Sequence, residues 1–183
     1  MDPHRAKLWT REEYDRLVAS GGFQPGSRVQ LIRGEIVEMA PQGAGHATAI
    51  LLAERTLGRV FAQGFTVRAQ LPLALGAWSE PEPDVAVVRG SITDYRDRHP
   101  DTAALVVEVA DATLGFDRKR KQQVYAEAGI PEYWIVNLVE SVLEVYRDPY
   151  GAVYRDIRRV SPDEVVSLLA APGGAVKVSD LLP

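Results

Sequence analysis

No cysteine occurs in this 183-residue chain, and its absence excludes disulfides, thiolate metal sites and cysteine nucleophiles together. Histidine is nearly as scarce. The three present, His4, His46 and His99, lie too far apart in sequence to form a local metal motif. Any metal would therefore be held by oxygen. No apolar run approaches the roughly 20 residues that cross a bilayer. The polar start MDPHRAKLWT lacks a signal-peptide h-region, so a cytoplasmic protein without membrane contact is expected. A surplus of positive charge is also missing: the net charge of −4 argues against coating nucleic acid non-specifically, while leaving room for a local basic patch.

What is present reads as one globular domain over 1–183, because 46% hydrophobic and 25% charged residues suffice for a sizeable core at this length. TREEYDRLVASGG has Thr10 and Glu13 at capping-box spacing and stops at Gly21-Gly22, which predicts a short helix. RVQLIRGEIVEM alternates about Arg33-Gly34 as a hairpin, with Glu35 opening its second strand. From His46 to Gln63, Ile50, Leu51, Leu57, Val60 and Phe61 recur at helical spacing. Three extended segments follow, FTVRAQLPL, PDVAVV and ALVVEVA, the last two apolar enough to be central strands. FDRKRKQQVYAEAG predicts a second long helix, with Asp117 in its first turn and Gly129 just past its end. EYWIVNLVESVLEVYRD predicts two strands joined near Asn137 to Glu140. In the tail, SPDE has capping-box spacing, but VVSLLAAPGGAVKV is β-branched and broken by PGG, which favours strands. This order implies an α/β (α+β) fold: a mixed central sheet flanked by helices, with extra C-terminal strands.

Two carboxylates sit in segments that otherwise read as buried. Glu108 shares a strand face with Ala104, Val106 and Ala110, and Asp84 stands at the start of PDVAVV. If the two strands are neighbours the acids converge, repel, and call for a cation between them, for which Mg²⁺ or Mn²⁺ is the hard-oxygen choice. Alternatively, an aspartate after proline is a turn residue or cap, and a strand glutamate is commonly paired with lysine or arginine. Lys121 lies on the helical stripe of Val124, Tyr125 and Ala128, while Lys119 and Arg120 point elsewhere. An inward lysine of this kind also has plainer explanations, a pair with Asp117 four residues earlier or a stem that snorkels past the core edge.

Taken in order, IRGEIVEM, His46 opening a helix, EPDVAVV, LVVEVAD, DRKRKQQVYAEAGIPEYWIVN and LEVY resemble the Uma-two family of restriction endonucleases, a branch of the PD-(D/E)XK nuclease superfamily. The resemblance covers about residues 10 to 146 and implies a restriction-endonuclease-like αβββαβ core, here roughly 28–146. It implies a Mg²⁺-dependent endonuclease that hydrolyses phosphodiester bonds of nucleic acid, DNA first, as a homodimer. Carried over by position, Asp84 and Glu108 become the motif acids, with Glu35 a third, and these three are the implied metal ligands. Lys121 becomes the catalytic lysine, standing on the helix because the strand position two after Glu108 is Ala110. His46 matches a family position as an accessory residue, and Gln70, on the preceding strand, is a second candidate accessory. The alternative from a different class is a non-catalytic oligomeric scaffold or binding module on the same fold, with Lys121 merely paired to Glu108 or Asp117.

Overall fold

The computed structural model describes residues 6–61 and 63–183, so His4 lies outside the described residues. Helix α1 (Arg11–Ala19) begins where the capping box requires: Thr10 accepts from the Glu13 backbone N–H, and the Glu13 side chain accepts from the Thr10 backbone N–H. Strands β1 (Val29–Ile32) and β2 (Glu35–Glu38) form the expected hairpin. Its two-residue turn has positive φ at Arg33 (51°) and Gly34 (83°), a geometry that matches the right-handed twist of the strands. A Cβ on Gly34 would also stand 2.9 Å from Cβ of Leu8. Gly34→Ala is expected to lower stability by about 1–2 kcal/mol, from backbone strain plus the clash, read as a drop in Tm.

Helix α2 spans Ala44–Val60. It starts two residues before the sequence pattern suggested and ends three before Gln63, because Phe61 leaves the helical region at φ −94° and ψ 68°. Strands β3 (Phe65–Ala69), β4 (Val85–Arg89) and β5 (Leu105–Ala110) follow. The second long helical stretch has three parts: α3 (Leu114–Phe116), a π-helical segment Asp117–Lys121, and α4 (Gln122–Glu127). The expected uninterrupted α-helix is thus widened in its middle, with the Gln122 N–H donating to the Asp117 carbonyl five residues back. Strands β6 (Glu132–Asn137), β7 (Val142–Tyr150) and β8 (Val153–Val160) complete one six-stranded sheet in the order β3-β4-β5-β6-β7-β8.

Only β5 and β6 run parallel within that sheet; its other neighbours are antiparallel. The mixed sheet flanked by helices is therefore present, and the run α2-β3-β4-β5-helix-β6 gives the αβββαβ core. The tail folds as a two-stranded hairpin, β9 (Val165–Ser167) with β10 (Ala175–Lys177). Glu132, fully buried, anchors that hairpin: it pairs with Arg147 at 2.5 Å and accepts from Trp134 and from the Leu169 N–H.

Alternation on the strands sorts the core into two clusters. Val85, Val87, Leu105, Val107, Val109 and Trp134 pack toward α2 and the C-terminal hairpin. Ala86, Val88, Val106, Ala110, Tyr133 and Ile135 pack toward Val124 and Tyr125 of α4. Asp84 and Glu108 fall in phase with the second set, so their carboxylates face the helix that carries Lys121.

Candidate active site

Antiparallel pairing sets Val85 opposite Val107 and Ala86 opposite Val106. One step further along the same register, Asp84 stands beside Glu108. Asp84 is held there by the backbone of β5, whose Val109 N–H donates to Oδ2 at 2.8 Å. Pro83 before it and the apolar strand after it leave little conformational freedom. Only 6% of Asp84 and 2% of Glu108 is exposed, so both acids need partners.

The helix supplies those of Glu108. Its Oε1 lies 2.8 Å from Lys121 Nζ and accepts the Tyr125 hydroxyl at 2.6 Å, while Oε2 accepts no hydrogen bond among the described residues. Asp117, Lys121 and Tyr125 are spaced by four, and all three are buried. The π-helical segment falls between the first two. Residues four apart share one face of a helix, and both Asp117 and Lys121 point inward. Asp117 is fixed by its own N-terminal turn, accepting from Thr113 Oγ1 at 2.7 Å. His46, in the first turn of α2, places Nε2 3.4 Å from both carboxylate oxygens of Asp84.

A cavity of about 150 Å³ opens onto this group; His46, Asp84, Glu108, Asp117 and Lys121 line it, with Val37 and Met39 of the hairpin forming part of the wall. Burial pushes the Glu108 carboxyl up, and the Lys121 ammonium opposes that push. Burial raises Asp117 in the same way, again against Lys121 and against the Thr113 hydroxyl. For Lys121 burial acts downward, but the charges of Glu108, Asp117 and Asp84 outweigh it and hold the ammonium above its ordinary value. His46 is raised mainly by its hydrogen bond to Asp84, against the opposing effect of burial.

Of the residues singled out from sequence, Asp84, Glu108, Lys121 and His46 come together. Glu35 does not join them: it is exposed at the far end of β2 from the cavity wall and pairs with Arg120 at 2.9 Å. Gln70 does not line the cavity either. Its N–H donates to the Asp84 carbonyl, and its side-chain Nε2 is buried without a hydrogen-bond partner among the described residues. Asp117 and Tyr125 were not picked out as site residues, although a carboxylate and a phenol four residues either side of an inward lysine were the available signal.

Asp84, Glu108 and Asp117 face a single cation, Lys121, and Glu38 and Asp111 add carboxylates to the same lining, so acids outnumber cations in the cavity and a divalent cation would offset the excess. Among the described residues no three His, Asp or Glu side chains are arranged to hold a metal by themselves. The donors nevertheless fit Mg²⁺ in kind, being hard oxygens with Glu108 Oε2 uncommitted, and Mg²⁺ commonly uses one or two carboxylates plus water and phosphate oxygens.

Among curated proteins there is no match to the chain. Among solved structures it is similar to one from Anabaena variabilis, described as "a putative nuclease", with a TM-score of 0.70, 15% identity, and 94% of this chain and 96% of that chain covered. At such identity the likeness is one of fold. The profile of the Uma2 family, described as "Putative restriction endonuclease", matches residues 11–179, from α1 through the C-terminal hairpin, and the chain belongs to that family.

Proposed function

We propose that the chain is a metal-dependent nuclease that hydrolyses phosphodiester bonds in the cavity bounded by Asp84, Glu108, Asp117 and Lys121. The observation that carries this reading is the Lys121–Glu108 contact at 2.8 Å beside Asp84, three groups delivered by three separate elements. Asp84 and Glu108 would hold Mg²⁺ or Mn²⁺, with Asp117 taking the third acidic place that the family resemblance implied for Glu35. Such an ion supplies a lowered water pKa and neutralises charge developing on the phosphate. Lys121 stays protonated at neutral pH because the acids raise it. It therefore acts as an ammonium donor that orients water and steadies a phosphate oxygen, and the role of proton acceptor falls elsewhere. Tyr125 and the Val109 N–H fix the two carboxylates, so little reorganisation is left for the reaction.

The reading extends to substrate and assembly. Nucleic acid, DNA first, is the substrate, and the cytoplasm its setting; among the described residues no helix is long and apolar enough to cross a membrane. The exposed Tyr150, Val153 and Ile157 on β7 and the edge strand β8 support a homodimer. Two apolar clusters on opposite faces of one sheet support a single domain over 1–183. A non-catalytic module draws on the same ion pair, since a buried lysine and glutamate also satisfy one another without any substrate.

Purified protein mixed with supercoiled plasmid, linear duplex, single-stranded DNA and RNA separates the two. Cleavage of at least one substrate with Mg²⁺ or Mn²⁺, abolished by chelator, is the expected result. Absence of cleavage of all four, together with no Mg²⁺ binding by calorimetry, would leave the scaffold reading.

A further inference from the structure

The cavity that holds Asp84, Glu108 and Lys121 measures about 150 Å³, well under the roughly 300–1,000 Å³ of pockets that enclose a drug-sized ligand. It has room for a phosphate group and an ion. The three side chains are each no more than 6% exposed, so a phosphate reaches them only by entering this opening. One wall is formed by the β1–β2 hairpin and the residues that follow it, from Val37 to Gln42. That wall is tied down. The Gly34 N–H donates to the Trp78 carbonyl at 2.7 Å and the Glu80 N–H to the Leu31 carbonyl at 2.8 Å. Arg33 reaches Gln123 at 2.8 Å and Glu127 at 3.2 Å, and Arg120 reaches Glu35, which fastens the hairpin to the helix. The chemistry of the lining is as selective as its size. Among the described residues Lys121 is the sole lysine or arginine that lines the cavity, whereas Glu38 and Asp111 bring further carboxylates. Val37, Met39, Pro41 and Phe116 give it an apolar side, and the Arg120 guanidinium lies over the Phe116 ring, 5.6 Å from its centroid.

We propose that the strand entering this cavity is unpaired: the substrate is single-stranded DNA, or a single-stranded stretch within a duplex, with a base next to the reacting phosphate packed against Phe116 and Met39. The inference rests on the nuclease reading and narrows it. A duplex is stiff over about 150 base pairs and carries its phosphates on a broad convex surface. To bring one phosphate beneath the hairpin wall it would press the flanking backbone against Glu38 and Asp111. A duplex is also held chiefly by neutralising its phosphates, and this lining offers it no basic track. An unpaired strand bends at each nucleotide, so one phosphate enters while its neighbours stay outside. Its bases, freed from stacking, pack on aromatic rings and guanidinium planes, and Phe116 with Arg120 supplies both beside the acids.

Fluorescence anisotropy on the full chain tests this, with a labelled single-stranded oligonucleotide and the same oligonucleotide annealed to its complement. The titrations are run in Ca²⁺, another ion that takes oxygen ligands, and a gel after each confirms that the DNA is intact. The expected result is single-strand binding at least about tenfold tighter than duplex binding. Phe116→Ala should weaken single-strand binding about fivefold or more, the loss of one base stack. Phe116 also packs against the core, so Phe116→Leu, which keeps apolar bulk without a ring face, serves if the alanine variant fails to fold and should weaken binding in the same sense. Equal or tighter duplex binding, no binding of either oligonucleotide, or single-strand affinity unchanged in the folded Phe116 variants would overturn the proposal. Cleavage separates it from the reading beneath it. Uninterrupted linear duplex cut as fast as single strand would keep the nuclease and sink the single-strand preference. Phe116-dependent single-strand binding without cleavage in Mg²⁺ or Mn²⁺ would keep the preference and sink the nuclease.

Discussion

Replacing Lys121 by methionine is expected to cost the protein about 3–5 kcal/mol at pH 8.5, because it strands Glu108 as a buried charge without its cation. Methionine fills much of the same space, so the loss is electrostatic rather than one of packing. The pH dependence distinguishes it. With Lys121 gone, the Glu108 carboxyl is raised further by burial, so the folded state holds its proton more tightly than the unfolded state does. Folded-state affinity for a proton that exceeds the unfolded one makes stability fall as pH rises from the ordinary carboxylate range through the raised value. Urea denaturation at pH 5.5 should therefore show a much smaller penalty than at pH 8.5. In the wild type burial also raises Glu108, but Lys121 opposes that rise and is itself held up by the acids, so the fall in stability over this range should be smaller than in Lys121→Met.

Adding Glu108→Gln to Lys121→Met separates structure from chemistry. The double variant no longer buries a charge at this position and should recover about half or more of the lost stability, a coupling of about 2 kcal/mol in the cycle. Cleavage should not recover with it. A double variant that regained both would make the pair a structural ion bridge, and one that regained neither would mean that the destabilisation came from packing around the π-helical segment.

How far the sequence could reach is visible in these same residues. The strand pairing of Asp84 with Glu108 was legible because alternation and a short apolar run leave few choices. Lys121 was legible from its helical stripe, and Asp117 four residues before it shares that face, but the π-helical widening between them leaves no compositional mark. Glu35 misled because pattern gives a residue's order and not its place. Its hairpin stays outside the six-stranded sheet, and the exposed carboxylate finds Arg120 instead. Strand β8, VYRDIRRV, was passed over for a related reason. Four of its eight residues are charged, as suits an edge strand, and only Tyr154 is driven deep into the core.

Asp84→Asn should lower cleavage by about a hundredfold to a thousandfold if the acid holds the ion, since one removed charge-stabilising contact commonly costs two to three orders of magnitude. The stability of the variant carries the sharper information. Asparagine keeps an oxygen that can still accept from the Val109 N–H, so the backbone anchor survives. What is lost is one negative charge beside Glu108 and the charge partner of His46. In the metal-free protein the first loss relieves repulsion and the second removes a modest attraction at 3.4 Å. The variant is thus expected to melt within about 1 kcal/mol of wild type. With Mg²⁺ or Mn²⁺ present the two should separate: wild type gains stability by mass action, about 2.7 kcal/mol at a hundred times Kd, while the variant gains little. A structural aspartate gives the opposite pair of results, a large loss without metal and the same metal response in both proteins. Thermal melts of both proteins across a Mn²⁺ titration read both quantities at once, and an undiminished metal response in Asp84→Asn would remove Asp84 from the metal site.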